Sequence, residues 1–318
     1  MRYASRFLIA LLIGTGASFL SVSCGSSPIR ERDVSLDGAI LDADIQKIAH
    51  YKALEDRSNL SAVEERVRAS FDDEDSRQNM ENQMILLLRG DFSIEAKRIA
   101  CRHLYLIGTE RCVPDLARLI VSSNELRDIA RYAIAAIPGE LPDQALIESI
   151  PFLEAKARVG VLNTIGARRS AKAVSPVAVY LSGDDLLTAK AAATALGKIG
   201  NKAANDMLTA AYANASPDLQ STLTHARLAC ADQLLADGHK QLALAVYTEL
   251  DSDTQPSQVR LAATRGRLRS QPNKKAQIVK SLLNHRDSQV RALGEKLAGQ
   301  TGVSMQGKAE AIPAKLKE

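Results

Sequence analysis

The sequence predicts an all-α protein laid out as a file of short helix pairs, and three observations carry that expectation. Hydrophobic residues make up 46% of the 318, yet aromatics are 4% and tryptophan is absent, so a core has to be built from Ala, Leu, Ile and Val. Side chains of that kind suit close helix–helix packing better than aromatic-rich strands. Glycine and proline fall mostly at the edges of helical runs. One stretch, Ala189 to Leu208 (AKAAATALGKIGNKAANDML), reads as a helix, a glycine turn and a second helix, and looser copies of it recur. Ala191, Ala195, Leu196 and Ile199 share one helical face. Gly200 suits the left-handed residue that ends a helix, because without a Cβ that conformation costs little. A single hairpin of this size cannot bury its face, so the copies have to stack.

Residues 1–23 read as a secretory signal. Arg2 and Arg6 precede an apolar run from Phe7 to Leu20, too short and too interrupted by Gly14, Thr15 and Gly16 for a membrane span. Removing Arg2 and Arg6 with this leader, which holds no acid, takes the formal charge from +4 to +2. That is too small an excess to argue for nucleic acid. Residues 24–38 are polar, with Ser26, Ser27 and Pro28 ahead of Arg30, Glu31, Arg32 and Asp33, and read as a tether. Residues 39–92 read as an irregular N-terminal cap, helical from Ala39 to about Asp56 and from Ala62 to about Phe71. The acidic, amide-rich run Asp72 to Gln83 then breaks the apolar stripe, and Met84 to Leu88 restores it. Terminal units of stacked arrays are atypical because one face meets water.

Residues 93–299 carry the repeats. First helices are expected to end at Ile107-Gly108, Ile137-Pro138, Ile165-Gly166 and Ile199-Gly200, at intervals of 30, 28 and 34 residues. Leu116, Leu119 and Ile120, then Leu146, Ile147 and Ile150, then Val174, Val177 and Leu181, then Leu208 and Ala211 mark the second helices. Pro114 and Pro176 stand near two of their starts, where a missing N–H costs nothing. Gln258 to Ala263 and Gln289 to Leu293 repeat the opening. Residues 300–318 are polar and lysine-rich and read as a disordered tail.

Two resemblances follow from these residues. The segment Leu20-Ser21-Val22-Ser23-Cys24 resembles a bacterial lipobox, with Ser21 where that motif usually has Leu. The resemblance implies cleavage before Cys24, acylation of its thiol, and a lipid anchor in the bacterial envelope. The repeats, with their Val-Arg opening, Ala-Ala, Leu-Gly and Ile-Gly, resemble the short bacterial HEAT-like repeat over roughly residues 84–299. That resemblance implies an α-solenoid wound as a right-handed superhelix, whose relatives mostly bind other macromolecules. Within it, about residues 216–256 resemble a tetratricopeptide hairpin through Gly238, Ala243 and Tyr247.

No catalytic chemistry is legible. His50, His103, His225, His239 and His285 are scattered, and there is no phosphate loop, nucleophile elbow or CxxC pair. Cys101 and Cys112 flank a turn at a separation that disfavours a disulfide, so Cys101 and Cys230 are expected as buried thiols. The run Asp72 to Asp75 lacks the Gly and Glu of a calcium loop and reads as a solvated loop. The expectation is a protein that is no enzyme and takes no cofactor or metal. The turns of a stacked array project from one edge. Here they hold Arg111; Arg168, Arg169 and Lys172; Lys198 and Lys202; and, further on, Arg265, Arg267, Arg269, Lys274 and Lys275. Only the second turn, with Glu140 and Asp143, is acidic, so the turns could make a basic ridge for an acidic partner, against the alternative of solvated cations near helix C-termini. The expected function is a monomeric, non-catalytic envelope scaffold that binds a protein partner and is held to the membrane through Cys24. The alternatives are a structural spacer lipoprotein without a ligand, and a HEAT-like lyase or chaperone-type helper.

Overall fold

The computed structural model describes residues 36, 38–183 and 185–301, and the described residues hold helices, 3-10 turns and loops but no strand. The expected signal (1–23), Cys24, nearly all of the expected tether (24–38) and all but the first two residues of the expected tail (300–318) lie outside them. Leu36, the last apolar residue of the tether, rests half-buried against the core.

The chain opens with α1 (Ala43–Ile48), α2 (Ser58–Ala69) and α3 (Glu74–Arg89). Paired helices follow: α4 (Ile94–Ile107) with α5 (Val113–Ser122), α6 (Arg127–Ala136) with α7 (Leu141–Ser149), and α8 (Ala155–Arg168) with α9 (Val174–Ala178). Next come α10 (Leu186–Ile199) with α11 (Lys202–Tyr212), α12 (Pro217–Ala236) with α13 (Lys240–Leu250), α14 (Ser257–Ser270) with α15 (Lys275–Leu283), and α16 (Ser288–Thr301). Each helix packs chiefly on helices one or two places away in sequence, most extensively α10 on α8 and α12. The even-numbered helices α4 to α16 lie side by side in one layer, and α5 against α7 and α9 against α11 form parts of a second. Alanines and valines let the layers approach, and one apolar core runs unbroken from Ile45 to Ala226. Two smaller cores follow, one around Tyr247 and one around Leu282 and Val290.

The N-terminal region departs from the sequence expectation. The helix expected over Ala39 to Asp56 is the single short α1, capped by Asp42, whose carboxylate accepts from the Ile45 N–H at 3.0 Å. Ala49 and Tyr51 still pack against the core, but the helix ends at Ile48, and Leu54 sits exposed with φ 76. The break in the apolar stripe expected over Asp72 to Gln83 extends only through Asn79, and the inward face resumes at Met80. Asp73 N-caps one continuous helix, and Glu81 and Gln83 within it are buried. Glu81 accepts from the backbone and hydroxyl of Thr109 at 2.7 and 2.9 Å, and Gln83 bridges Asp42 and Ile40. Buried polar groups with partners are tolerated in a core, so a polar stripe here is still an inward face.

The third repeat also differs. Its first helix runs past Ile165-Gly166 to Arg168, and the left-handed turn residue is Arg169, with φ 56. Gly166 lies inside α8, where an added Cβ would stand 2.8 Å from the Cα of Ala195. It is a close-approach residue, not a cap. The fourth repeat ends where expected, with Gly200 at φ 68.

Candidate partner-binding surface

The turn cations go largely to intramolecular work. Arg168 is the clearest case: its guanidinium donates to the carbonyls of Ala135, Ile137 and Gly139 at 3.0, 2.7 and 3.0 Å, and to Asp143. It thereby satisfies the C-terminal carbonyls of α6, which have no partners inside their own helix. Lys172 pairs with Glu140, so the acidic second turn neutralises the basic third turn. Arg169 reaches Asp237 after α12. Arg111 donates to Asn82 at 2.7 Å and lies 3.6 Å from Glu81, and Lys202 pairs with Asp206 at 2.7 Å. Of the six cations placed on the ridge by sequence, Lys198 alone is exposed with no partner among the described residues. Of the later turn cations, Arg267 pairs with Asp251 and Arg269 with Asp232, while Arg265, Lys274 and Lys275 meet no carboxylate among the described residues. Exposed pairs of this kind stabilise little, about 0–1 kcal/mol each. They do leave the turn edge as far as Lys202 close to neutral.

The buried ionisable groups are structural. Asp115 is fully buried and takes a bidentate contact from Arg89, both arms at 2.9 Å, with a third bond from Arg118. Cys101, Cys112 and Cys230 are free, buried thiols. Burial pushes Cys101 up to about 12 and Cys230 up to about 11. Cys112 is raised by burial and by the Glu81 carboxylate beside it. A thiol in that state is a poor nucleophile at neutral pH. Burial holds His103 below the usual histidine range. Among the described residues no group of three His, Cys, Asp or Glu side chains is placed to hold a metal ion.

Free chemistry lies on the outward side of the even-numbered helices. Arg102, Tyr105 and Leu106 are exposed on α4, and Tyr132 is exposed on the adjoining α6. The Arg131 guanidinium sits over the Tyr132 ring at 4.8 Å, fixed by Asp128 at 3.0 Å and Thr164 at 2.7 Å. Arg158 stands 5.8 Å from the Tyr180 ring, and Leu187 and Lys198 are exposed on α10. In a chain with so few aromatics, exposed tyrosines beside arginines were the available sequence signal.

Two grooves lie between the helices. One, of about 530 Å3, lies between α9, α10, α11 and α12, and its lining (Leu181, Leu186, Met207, Ala211 and neighbours) carries no charge. The other, of about 850 Å3, lies between α14 and α16 and mixes leucines with cations. No protein-family model and no curated protein matches the sequence.

Proposed function

We propose that the chain is a non-catalytic scaffold of the bacterial envelope, a right-handed HEAT-like α-solenoid anchored through an acylated Cys24 and holding a protein partner on its even-helix face. The observation that carries this reading is the exposed set Arg102, Tyr105, Leu106 and Tyr132 on two adjoining helices of one layer. Tyrosine and arginine on a rigid support are the residue types that dominate protein interfaces. Arg131 is already ordered over Tyr132, so little side-chain entropy is lost when a partner covers them. The intervals of the repeats support the solenoid reading, and the leader through Cys24 supports the compartment.

Affinity capture of the full chain from a bacterial membrane fraction tests the reading, with Cys24→Ala alongside. The expected result is an acylated mature chain that co-purifies one envelope protein above background, with Cys24→Ala released to the soluble fraction. Recovery of the chain alone at every detergent condition contradicts the scaffold and favours the spacer. An uncleaved leader contradicts the compartment.

A further inference from the structure

The groove between α14 and α16 has the chemistry of a peptide site. Ala262, Leu268, Leu293 and Leu297 form its floor. Arg265, Arg269, Lys275 and Lys296 stand around it. Asp232 engages Arg269, but Arg265, Lys275 and Lys296 meet no carboxylate among the described residues. Elsewhere along the chain, turn cations are largely matched by an acid one unit away. Three unmatched cations around an apolar floor therefore mark missing negative charge and missing apolar surface at the same place.

We propose that this groove docks an amphipathic helix of the partner protein, with an apolar stripe on the floor and Asp or Glu flanking it. Apolar residues at positions i, i+3, i+4 and i+7 would meet the leucines, and the flanking carboxylates would meet Arg265, Lys275 and Lys296. Cations around an apolar floor suit a helix that carries both apolar and acidic side chains better than an acyl chain, which offers only apolar surface. The inference rests on the scaffold reading and names one place and one chemistry within it.

The test is the affinity of the full chain for a labelled helical peptide with a leucine stripe and glutamate flanks, measured by fluorescence anisotropy beside its lysine-flanked counterpart. The glutamate peptide should bind saturably and more weakly as salt rises, and the lysine peptide should not bind. The double substitution Arg265→Glu, Lys296→Glu should weaken binding at least tenfold. Ala262→Leu, which fills the floor without changing charge, should weaken it as well, and Lys198→Glu should leave it unchanged. Absence of binding, equal binding of both peptides, or indifference to the first two variants overturns the proposal. So does binding confined to vesicles of anionic phospholipid, which makes the groove a lipid site. Saturable binding of a synthetic peptide of residues 302–318, lost in the same variants, assigns the groove to the chain's own tail. Self-association abolished by Lys296→Glu assigns it to a second copy. Partner capture through α4 and α6 does not depend on this groove, so either can fail while the other stands.

Discussion

Arg168 and Arg169 are neighbours in sequence and carry different loads. Arg168 is 12% exposed and closes the end of α6 through three carbonyls and Asp143, whereas Arg169 is 39% exposed with Asp237 as its one partner among the described residues. Charge-assisted hydrogen bonds in a partly buried site contribute about 1.5–3 kcal/mol, so Arg168→Ala should destabilise the fold by about 2–4 kcal/mol. Arg168→Lys should not restore it, because a single ammonium cannot cover the fork that the guanidinium spans. Arg169→Gly loses an exposed ion pair, about 0–1 kcal/mol, and relieves a left-handed backbone that costs a side chain about 1–2 kcal/mol. Its net change should lie between zero and about 2 kcal/mol of stabilisation. Urea denaturation of the three variants reads both expectations. A loss at Arg169→Gly equal to that at Arg168→Ala would show that the two do the same job.

At the scale of the element, small residues set how close the even-numbered helices lie. A Cβ on Gly197 would stand 2.7 Å from the Ala226 carbonyl oxygen and 2.9 Å from its Cα, both backbone atoms that cannot swing away. Gly197→Ala should therefore cost about 1–3 kcal/mol from overpacking, despite the better helix propensity of alanine. Gly299, also helical, has nothing within 4 Å of its Cβ position, and Gly299→Ala should stabilise by up to about 1 kcal/mol. Chemical denaturation should give opposite signs, and two changes of the same sign would remove close approach as the explanation. These contacts also explain what could be read from sequence. The pairing around Gly200 was legible because a glycine after a strong apolar stripe is a local signal. Gly166 gives the same local signal but answers to Ala195 on α10, the next helix of the same layer, and the turn falls three residues later, at Arg169. Helix α3 was hidden because Glu81 and Gln83 look like surface residues until their partners Thr109, Asp42 and Ile40 are in place. The turn cations were visible, but their neutralisation required matching Glu140 and Asp143 to residues one repeat away.

For the whole molecule, the helices pack in sequence order, the core is one body to Ala226 and two smaller ones beyond it, and the ionic contacts bind successive units along the turn edge. A structure stabilised by neighbour contacts of this kind offers surface rather than an enclosed site. The surface that remains available is the even-helix face, where aromatic and basic side chains are exposed and where the proposed peptide groove also opens. The measurement that tests this account most directly is photo-cross-linking in living bacteria, with a benzophenone side chain placed at Tyr132 and, as the control, at Phe152 beside α7. The account predicts one discrete adduct from position 132, lost when Tyr105 and Leu106 are replaced by Glu, and none from position 152. Adducts of equal yield from both positions, or none from either, would contradict it.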